Sequence, residues 1–346
     1  MTITEKEFGE TGRGEPVTEY TLKNRSGGSV SILNYGCTVR CLQIPDATGR
    51  LTDVVLGYDT IWEYEEHDGY LGAIIGRNSN RIGAGSVTLN GTEYSLSRNE
   101  GNNQLHGGQR GFDKRMWTVQ AVQDGIRLSR CSPDGEEGFP GNLEVSITYC
   151  LLDEPALRIT YDAVSDADTI CNLTSHCYFN LNGGGSALAH NLQIVADQFT
   201  ENNGECLPTG KIFSVSGTPM DFRVSRPLGN ASFSENEQLR QFGGYDHNYV
   251  LRGGFAVKKA AVLESLQTGL RMTVLTDRPG MQLYSGNSLT VRTGKNGVLY
   301  HPHDAVCLET QLFPNAMQCV NFPSPVLKHG ATYHSQTEYR FSPTAT

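Results

Sequence analysis

The sequence predicts an all-β fold: a large antiparallel β-sandwich with few short helices. Three observations carry that expectation. Apolar and polar residues alternate with period two over long runs. Gly, Asn and Asp turns separate those runs at short intervals. No strand–helix rhythm runs along the chain, which argues against a parallel α/β sheet.

The clearest alternation lies in the middle of the chain. Leu143, Val145, Ile147, Tyr149 and Leu151 form an apolar row, with Glu144, Ser146 and Thr148 on the opposite face. After the turn Asp153-Glu154-Pro155, Leu157, Ile159, Tyr161 and Ala163 repeat the row against Arg158, Thr160 and Asp162. This pattern is a long hairpin with one buried face. Residues 87–94 read as a second hairpin, in which Asn90-Gly91 supplies the positive φ of a tight turn. Residues 262–266 and 270–276 make a third, around Gln267-Thr268-Gly269. Further strands are expected at 30–33, 39–44, 54–56, 126–129, 192–196 and 281–284. Helices are expected only at 60–66 and 234–241. No repeat, low-complexity segment or shift in composition divides the 346 residues, so 1–346 reads as a single domain.

Composition narrows the partners. The net charge is −9 and no dense basic run occurs, which argues against a nucleic-acid partner. No apolar run is long enough to span a bilayer, so no membrane partner is expected. The opening M-T-I-T-E-K-E-F lacks the basic-then-apolar pattern of a secretory signal. The nine cysteines are scattered without paired metal spacing, several in strand-like runs (Cys150, Cys171, Cys307). Buried, reduced thiols in a cytoplasmic protein are the expectation.

The stretch 171–185, C-N-L-T-S-H-C-Y-F-N-L-N-G-G-G, organises the rest. It reads as a strand that enters the core and emerges at a pocket floor, with His176 in its middle. An imidazole there is either a proton-trading group or a core histidine satisfied by a backbone carbonyl. The segment 76–82, G-R-N-S-N-R-I, is either a surface turn with solvated arginines or a set of donors aimed at ligand oxygens. His106 precedes two glycines, and an exposed loop tip is its default reading. Asp246 stands at a strand mouth, where it binds ligand hydroxyls or caps a turn. Gln282 and Tyr284 share a strand face that suits a sugar or an ordinary half-exposed sheet. Glu309 interrupts the apolar run 305–313. A buried carboxylate needs a partner, and burial raises its pKa toward that of a useful base. It is either such a base or a structural partner of an arginine. Proline splits His301 from His303 and no partner cluster has ligand spacing, so no metal is expected. There is no G-x-S-x-G elbow, and Gly183-Gly184-Gly185 lacks the Lys and Ser/Thr of a phosphate loop.

Eight segments together resemble the aldose 1-epimerase (galactose mutarotase) family. They are G-R-N-S-N-R-I at 76–82, N-Q-L-H-G-G at 103–108, G-F-D-K-R at 111–115 and G-F-P-G-N-L at 138–143. N-L-T-S-H-C-Y-F-N-L at 172–181, Y-D-H-N-Y at 245–249, Q-L-Y-S-G-N at 282–287 and L-E-T-Q at 308–311 complete the set, in the family's order. Ser79 and Asn315 depart mildly from its pattern. The resemblance implies the galactose mutarotase-like supersandwich fold. It implies an isomerase that interconverts the α and β anomers of free hexoses such as galactose and glucose, by acid/base ring opening and reclosure. Glu309 then matches the general base and His176 the general acid. Asn80, Arg81, His106, Tyr178, Asp246 and Gln282 match the positions that hold the sugar. Glu309 is expected to start ionised and His176 protonated, on opposite sides of the ring, with His106 sharing the donation or steadying the ring oxygen. The partner is a small-molecule aldose, no cofactor is needed, and a monomer or homodimer is expected. Two alternatives are a hexose-6-phosphate 1-epimerase, which needs added cations for the phosphate, and a non-catalytic sugar-binding protein on the same scaffold.

Overall fold

Three antiparallel sheets share one apolar core in the computed structural model, which describes residues 1–46, 48–230 and 233–344. The largest has nine strands, in the order Thr118–Val122, Gly125–Ser132, Leu143–Leu152, Ala156–Ser165, Thr332–Pro343, Leu270–Thr276, Lys258–Glu264, Asn191–Ile194 and Arg226–Pro227. An N-terminal sheet runs in sequence order through Thr2–Glu10, Pro16–Lys23, Ser29–Leu33, Val39–Pro45 and Leu51–Asp53. The third sheet carries the chemistry described below. Its order is Pro208–Ser214, Ala196–Asn202, Asp246–Leu251, Gly280–Tyr284 and Cys307–Gln311.

The alternation seen in the sequence sets the packing. Leu143–Leu152 pairs with Ala156–Ser165 over its whole length, Leu143 opposite Ser165 and Leu152 opposite Ala156. The odd-numbered apolar row from Leu143 to Leu151 is buried. It meets Leu22, Val30 and Val39 of the N-terminal sheet and Met281, Leu283 and Leu308 of the third sheet in one cluster. Burying each such side chain stabilises by roughly 1.5–3 kcal/mol. The Tyr149 hydroxyl also donates to the Cys37 carbonyl at 2.6 Å, tying the long hairpin to the turn between Ser29–Leu33 and Val39–Pro45.

Several elements differ from expectation for local reasons. Residues 54–56 are not a strand, because their N–H groups go to different partners: Val54 to the Leu42 carbonyl and Leu56 to that of Tyr178. The run 192–196 breaks at Val195, where the chain leaves the nine-stranded sheet and enters the third. The third hairpin begins earlier, at Lys258, and its first strand ends at Glu264. The first helix, Ile61–Glu66, starts at a capping box of Thr60 and Glu63. The second, Glu237–Phe242, starts later than expected and is capped by Asn236, whose side chain accepts the Leu239 N–H. None of the nine cysteines is paired; six are buried as expected, but Cys41 and Cys150 are half-buried and Cys131 is exposed. No helix among the described residues is long and apolar enough to cross a membrane.

The stretch 171–185 is not a continuous strand. Only Thr174–Ser175 is regular; the rest is irregular chain, buried from Cys171 to Leu181 and reaching the surface at Gly183 and Gly185. Its backbone groups are satisfied one at a time, as burial requires. Phe179 exchanges two hydrogen bonds with Val306, His176 N–H donates to Ala73, and the His176 carbonyl accepts from Gly72. Asn172 Oδ1 accepts the Leu312 N–H at 2.9 Å, fastening this stretch to the strand that bears Glu309.

Arg77 is no solvated surface residue either. Only 1% exposed, it donates five hydrogen bonds: to Ser132 Oγ, Thr169 Oγ1 and the carbonyls of Ser132, Pro133 and Pro140. It is a structural clamp beneath the 76–82 turn. Arg77→Met should therefore orphan buried acceptors and cost about 3 kcal/mol or more. The measurement is the urea midpoint, and a value equal to wild type would remove the clamp from the account.

Candidate active site

The third sheet presents one row of polar side chains to a cleft. Gln282 lies opposite Glu309 and Asn248, and Tyr284 opposite Cys307 and Asp246, so all six share a face. The alternate residues Met281, Leu283 and Leu308 enter the core. The irregular stretch brings His176 and Tyr178 over this face, and the 76–82 and 103–108 segments close it from the side. Their pairing, Leu105 with Arg81 and Gln104 with Ile82, sets Asn80, Arg81 and His106 beside His176. Gly107 is obligatory in this closure. Its φ is +87°, and a Cβ there would lie 1.9 Å from the Gly76 carbonyl oxygen.

The result is a cavity of about 330 Å³ lined by Asn80, Arg81, His106, His176, Tyr178, Asp246, Tyr284 and Glu309. A larger one, of about 510 Å³, adjoins it across Tyr70 and Asn99 and is lined by neither His176 nor Glu309. His176 Nε2 lies 3.7 Å from Glu309 Oε1, and both residues are buried. They stand side by side, not on opposite sides of a ring-sized space as expected. Glu309 Oε2 is buried and has no partner. Tyr178 stacks on His176 with centroids 5.1 Å apart, while His106 meets the same imidazole edge-on at 5.1 Å.

His106 is buried, not at an exposed loop tip. Its Nδ1 accepts the Asn80 N–H at 3.1 Å, so its hydrogen sits on Nε2 and it acts as a fixed donor. Glu100 grips Arg81 through Nε at 2.6 Å and Nη2 at 2.7 Å. Arg81 Nη1 then points at Asp246 Oδ2, 3.9 Å away. Gln282 does not line the cavity. It is buried behind Asp246 and donates to Asp246 Oδ1 at 2.7 Å, orienting that carboxylate. Cys206 supports the other oxygen, its thiol donating to Oδ2 at 3.3 Å.

Residues overlooked in the sequence are Tyr70, Glu100, Arg292 and the role of Cys307. Tyr70 packs on His106 at 4.7 Å and on His176 at 5.9 Å. Its local signal was the turn setting Gly69-Tyr70-Leu71-Gly72; Tyr70 itself takes a φ of +56°, uncommon for a bulky residue. Glu100 and Arg292 carry no local sign, because their partners are brought together by the tertiary fold.

Burial decides the protonation of the central pair. It drives Glu309 well above the ordinary carboxylate value, with Asp246 adding to the effect and Arg81 opposing it. It drives His176 down to about 4, against the opposing pull of a backbone hydrogen bond and of Asp246. Burial, His176 and Arg81 together hold His106 well below its usual value. Burial thus favours the neutral form of each group, a protonated carboxyl and an uncharged imidazole, over the ionised pair expected from the sequence. The count is unchanged: the pair still shares one mobile proton.

His106, His176 and Glu309 place possible ligand atoms within 4.8 Å of one another. The donor set does not fit a metal ion, however. His106 Nδ1 is engaged by a backbone N–H and Nε2 bears the hydrogen, so that ring offers no free lone pair.

The cleft sets an acid/base pair beside polar side chains suited to a small polyhydroxylated ring. The model of the aldose 1-epimerase family matches residues 18–340. The chain is 40% identical to the galactose mutarotase of Sus scrofa over 347 aligned residues, covering 99% of each chain. It is 35% identical to the aldose 1-epimerase of Escherichia coli (strain K12) over 333, covering 95% and 96%. Among solved structures, a galactose 1-epimerase from Lactobacillus acidophilus superposes with a TM-score of 0.87 at 29% identity, covering all of both chains. An aldose epimerase homologue from C. elegans gives 0.88 at 29% identity, covering 94% of this chain and 98% of that one. The chain belongs to the aldose 1-epimerase family.

The electrostatics make a direct prediction. Titration by ¹⁵N NMR should show His176 gaining its proton only as pH falls through about 4. A midpoint at the ordinary histidine value, assigned by its loss in His176→Asn, would contradict the burial argument.

Proposed function

We propose that this chain, folded as one domain around its shared core, interconverts the α and β anomers of free hexoses such as galactose and glucose. The observation that carries the proposal is the pair of buried proton carriers, His176 Nε2 and Glu309 Oε1, 3.7 Å apart at the cavity wall. The two oxygens that must exchange protons, the anomeric hydroxyl and the ring oxygen, are bonded to the same carbon. Two carriers side by side therefore reach both at once.

In the working state the proton has passed from Glu309 to His176. Glu309 carboxylate takes the proton of the anomeric hydroxyl while His176 Nε2–H protonates the ring oxygen. The bond from the anomeric carbon to the ring oxygen breaks and a carbonyl forms. Rotation about the bond to the next carbon presents the other face. The ring then recloses with the two proton transfers reversed. His106 is the general acid in neither direction, because the Asn80 N–H at Nδ1 bars a second proton. It steadies an oxygen through Nε2–H. Arg81 and Asp246 hold hydroxyls, Asn80 and Tyr178 shape the wall, and Gln282 acts through Asp246. Alignment of this kind supplies much of an enzyme's advantage.

A phosphorylated hexose suits this cleft poorly. Of the two arginines that line it, Arg81 is held by Glu100, and Arg292 by Asp68 at 2.5 Å and the Tyr58 hydroxyl at 3.0 Å. Neither is an uncommitted cation for a phosphate.

Polarimetry of fresh α-galactose and α-glucose tests the proposal. Glu309→Gln and His176→Asn should each fold and lose about 10²–10⁴-fold in kcat, with sugar binding retained in His176→Asn. Saturable binding without anomer exchange in the wild type would favour a sugar-binding protein instead. Turnover of glucose should exceed that of glucose 6-phosphate by about tenfold or more, a difference of about 1.4 kcal/mol. Equal turnover would revive the phosphate reading.

A further inference from the structure

The His176 imidazole is spanned by two side chains of a single strand. Cys307 and Glu309 lie two residues apart in Cys307–Gln311 and present the same face. Cys307 Sγ is 3.6 Å from His176 Nδ1, and Glu309 Oε1 is 3.7 Å from Nε2. Cys307 is fully buried, and burial keeps its thiol protonated and neutral.

The two active-site histidines differ at Nδ1. In His106 that atom accepts a backbone N–H, which cannot turn away. In His176 it faces a sulfur whose own hydrogen rotates freely. For a proton to pass from Glu309 to Nε2, Nε2 must offer a lone pair. The neutral imidazole must then carry its hydrogen on Nδ1, and a buried N–H needs an acceptor.

We propose that Cys307 is a positioning residue: its sulfur accepts a hydrogen bond from His176 Nδ1–H and so leaves Nε2 free to trade the mobile proton with Glu309 and the sugar. The inference rests on the acid/base reading above. The proton leaves the Glu309 hydroxyl and arrives at Nε2, giving a carboxylate and an imidazolium whose Nδ1–H still points at sulfur. Nε2–H then passes to the ring oxygen as the carboxylate takes the anomeric proton. The thiol is neither ionised nor oxidised at any point. A carboxylate in its place would hold the imidazolium permanently charged, and a backbone N–H would forbid it, as at His106. A neutral, weak acceptor permits both states.

The test is the His176 tautomer, read from ¹⁵N shifts of the labelled wild-type protein at neutral pH. Nδ1 should be the protonated nitrogen, and a protonated Nε2 would overturn the proposal. In Cys307→Ala the tautomer should shift toward Nε2–H, and kcat should fall about tenfold or more with KM within about twofold. Cys307→Ser, whose hydroxyl also accepts, should recover kcat to within about threefold of wild type. An alanine variant with wild-type kcat and tautomer assigns Cys307 to packing alone and overturns the proposal, even if the variant is less stable. If the alanine variant fails to fold, the wild-type spectrum and the serine variant decide. Should the wild type show no anomer exchange, the functional reading fails while the tautomer still reports on Cys307 separately.

Discussion

The site depends on holding a carboxyl group and an imidazole out of water at 3.7 Å. Each would be solvated and ordinary on a surface. Buried together, each is driven toward its neutral form, and a single proton is left to move between them. Burial favours the neutral placement, and the attraction between the charged forms at 3.7 Å opposes it. A sugar oxygen at the cavity wall meets a donor and an acceptor side by side. Much of the surrounding structure serves to make this burial tolerable.

The third sheet and the irregular stretch meet that need in different ways. Ladder pairing of Gly280–Tyr284 with Cys307–Gln311 fixes Glu309 against Gln282 and sends the alternate residues into the core. Regular pairing gives stiffness but only one side-chain direction per position. The His176 segment gives up the ladder, bonding in turn to Ala73, Gly72 and Val306. That freedom lets His176 and Tyr178 lie over the sheet face. Asn172 locks the two together through the Leu312 N–H. The second layer is similarly specialised. Glu100 aims Arg81, Gln282 and Cys206 aim Asp246, and a backbone N–H fixes the tautomer of His106.

The same division explains what could be read in advance. The long hairpin was plain because a half-buried strand writes its two faces into alternate residues. The hairpin at Asn90-Gly91 was plain because few residue pairs take those φ values. Glu309 was noticeable as a charge inside an apolar run. Residues 54–56 misled because apolar residues buried in irregular chain look like those of a strand. Arg77 misled because an arginine in a turn is ordinarily solvated, and its acceptors at 132, 133, 140 and 169 are distant in sequence. Gln282 shares a face with Tyr284, as its spacing requires, but depth along that face is not encoded in spacing.

By itself, the sequence determined the all-β class, the strand pairs joined by short turns, and the residue types available for acid/base chemistry. Those follow from local propensity, from period-two patterning and from the cost of placing a polar group among apolar ones. The tertiary structure alone decided that His176 and Glu309 stand side by side, that burial favours the neutral form of each, that His106 is a locked donor, and that Cys307 touches Nδ1. Each of these depends on a distance of a few ångströms between residues far apart in the chain, and on the water excluded around them. Neither quantity is a property of any one segment.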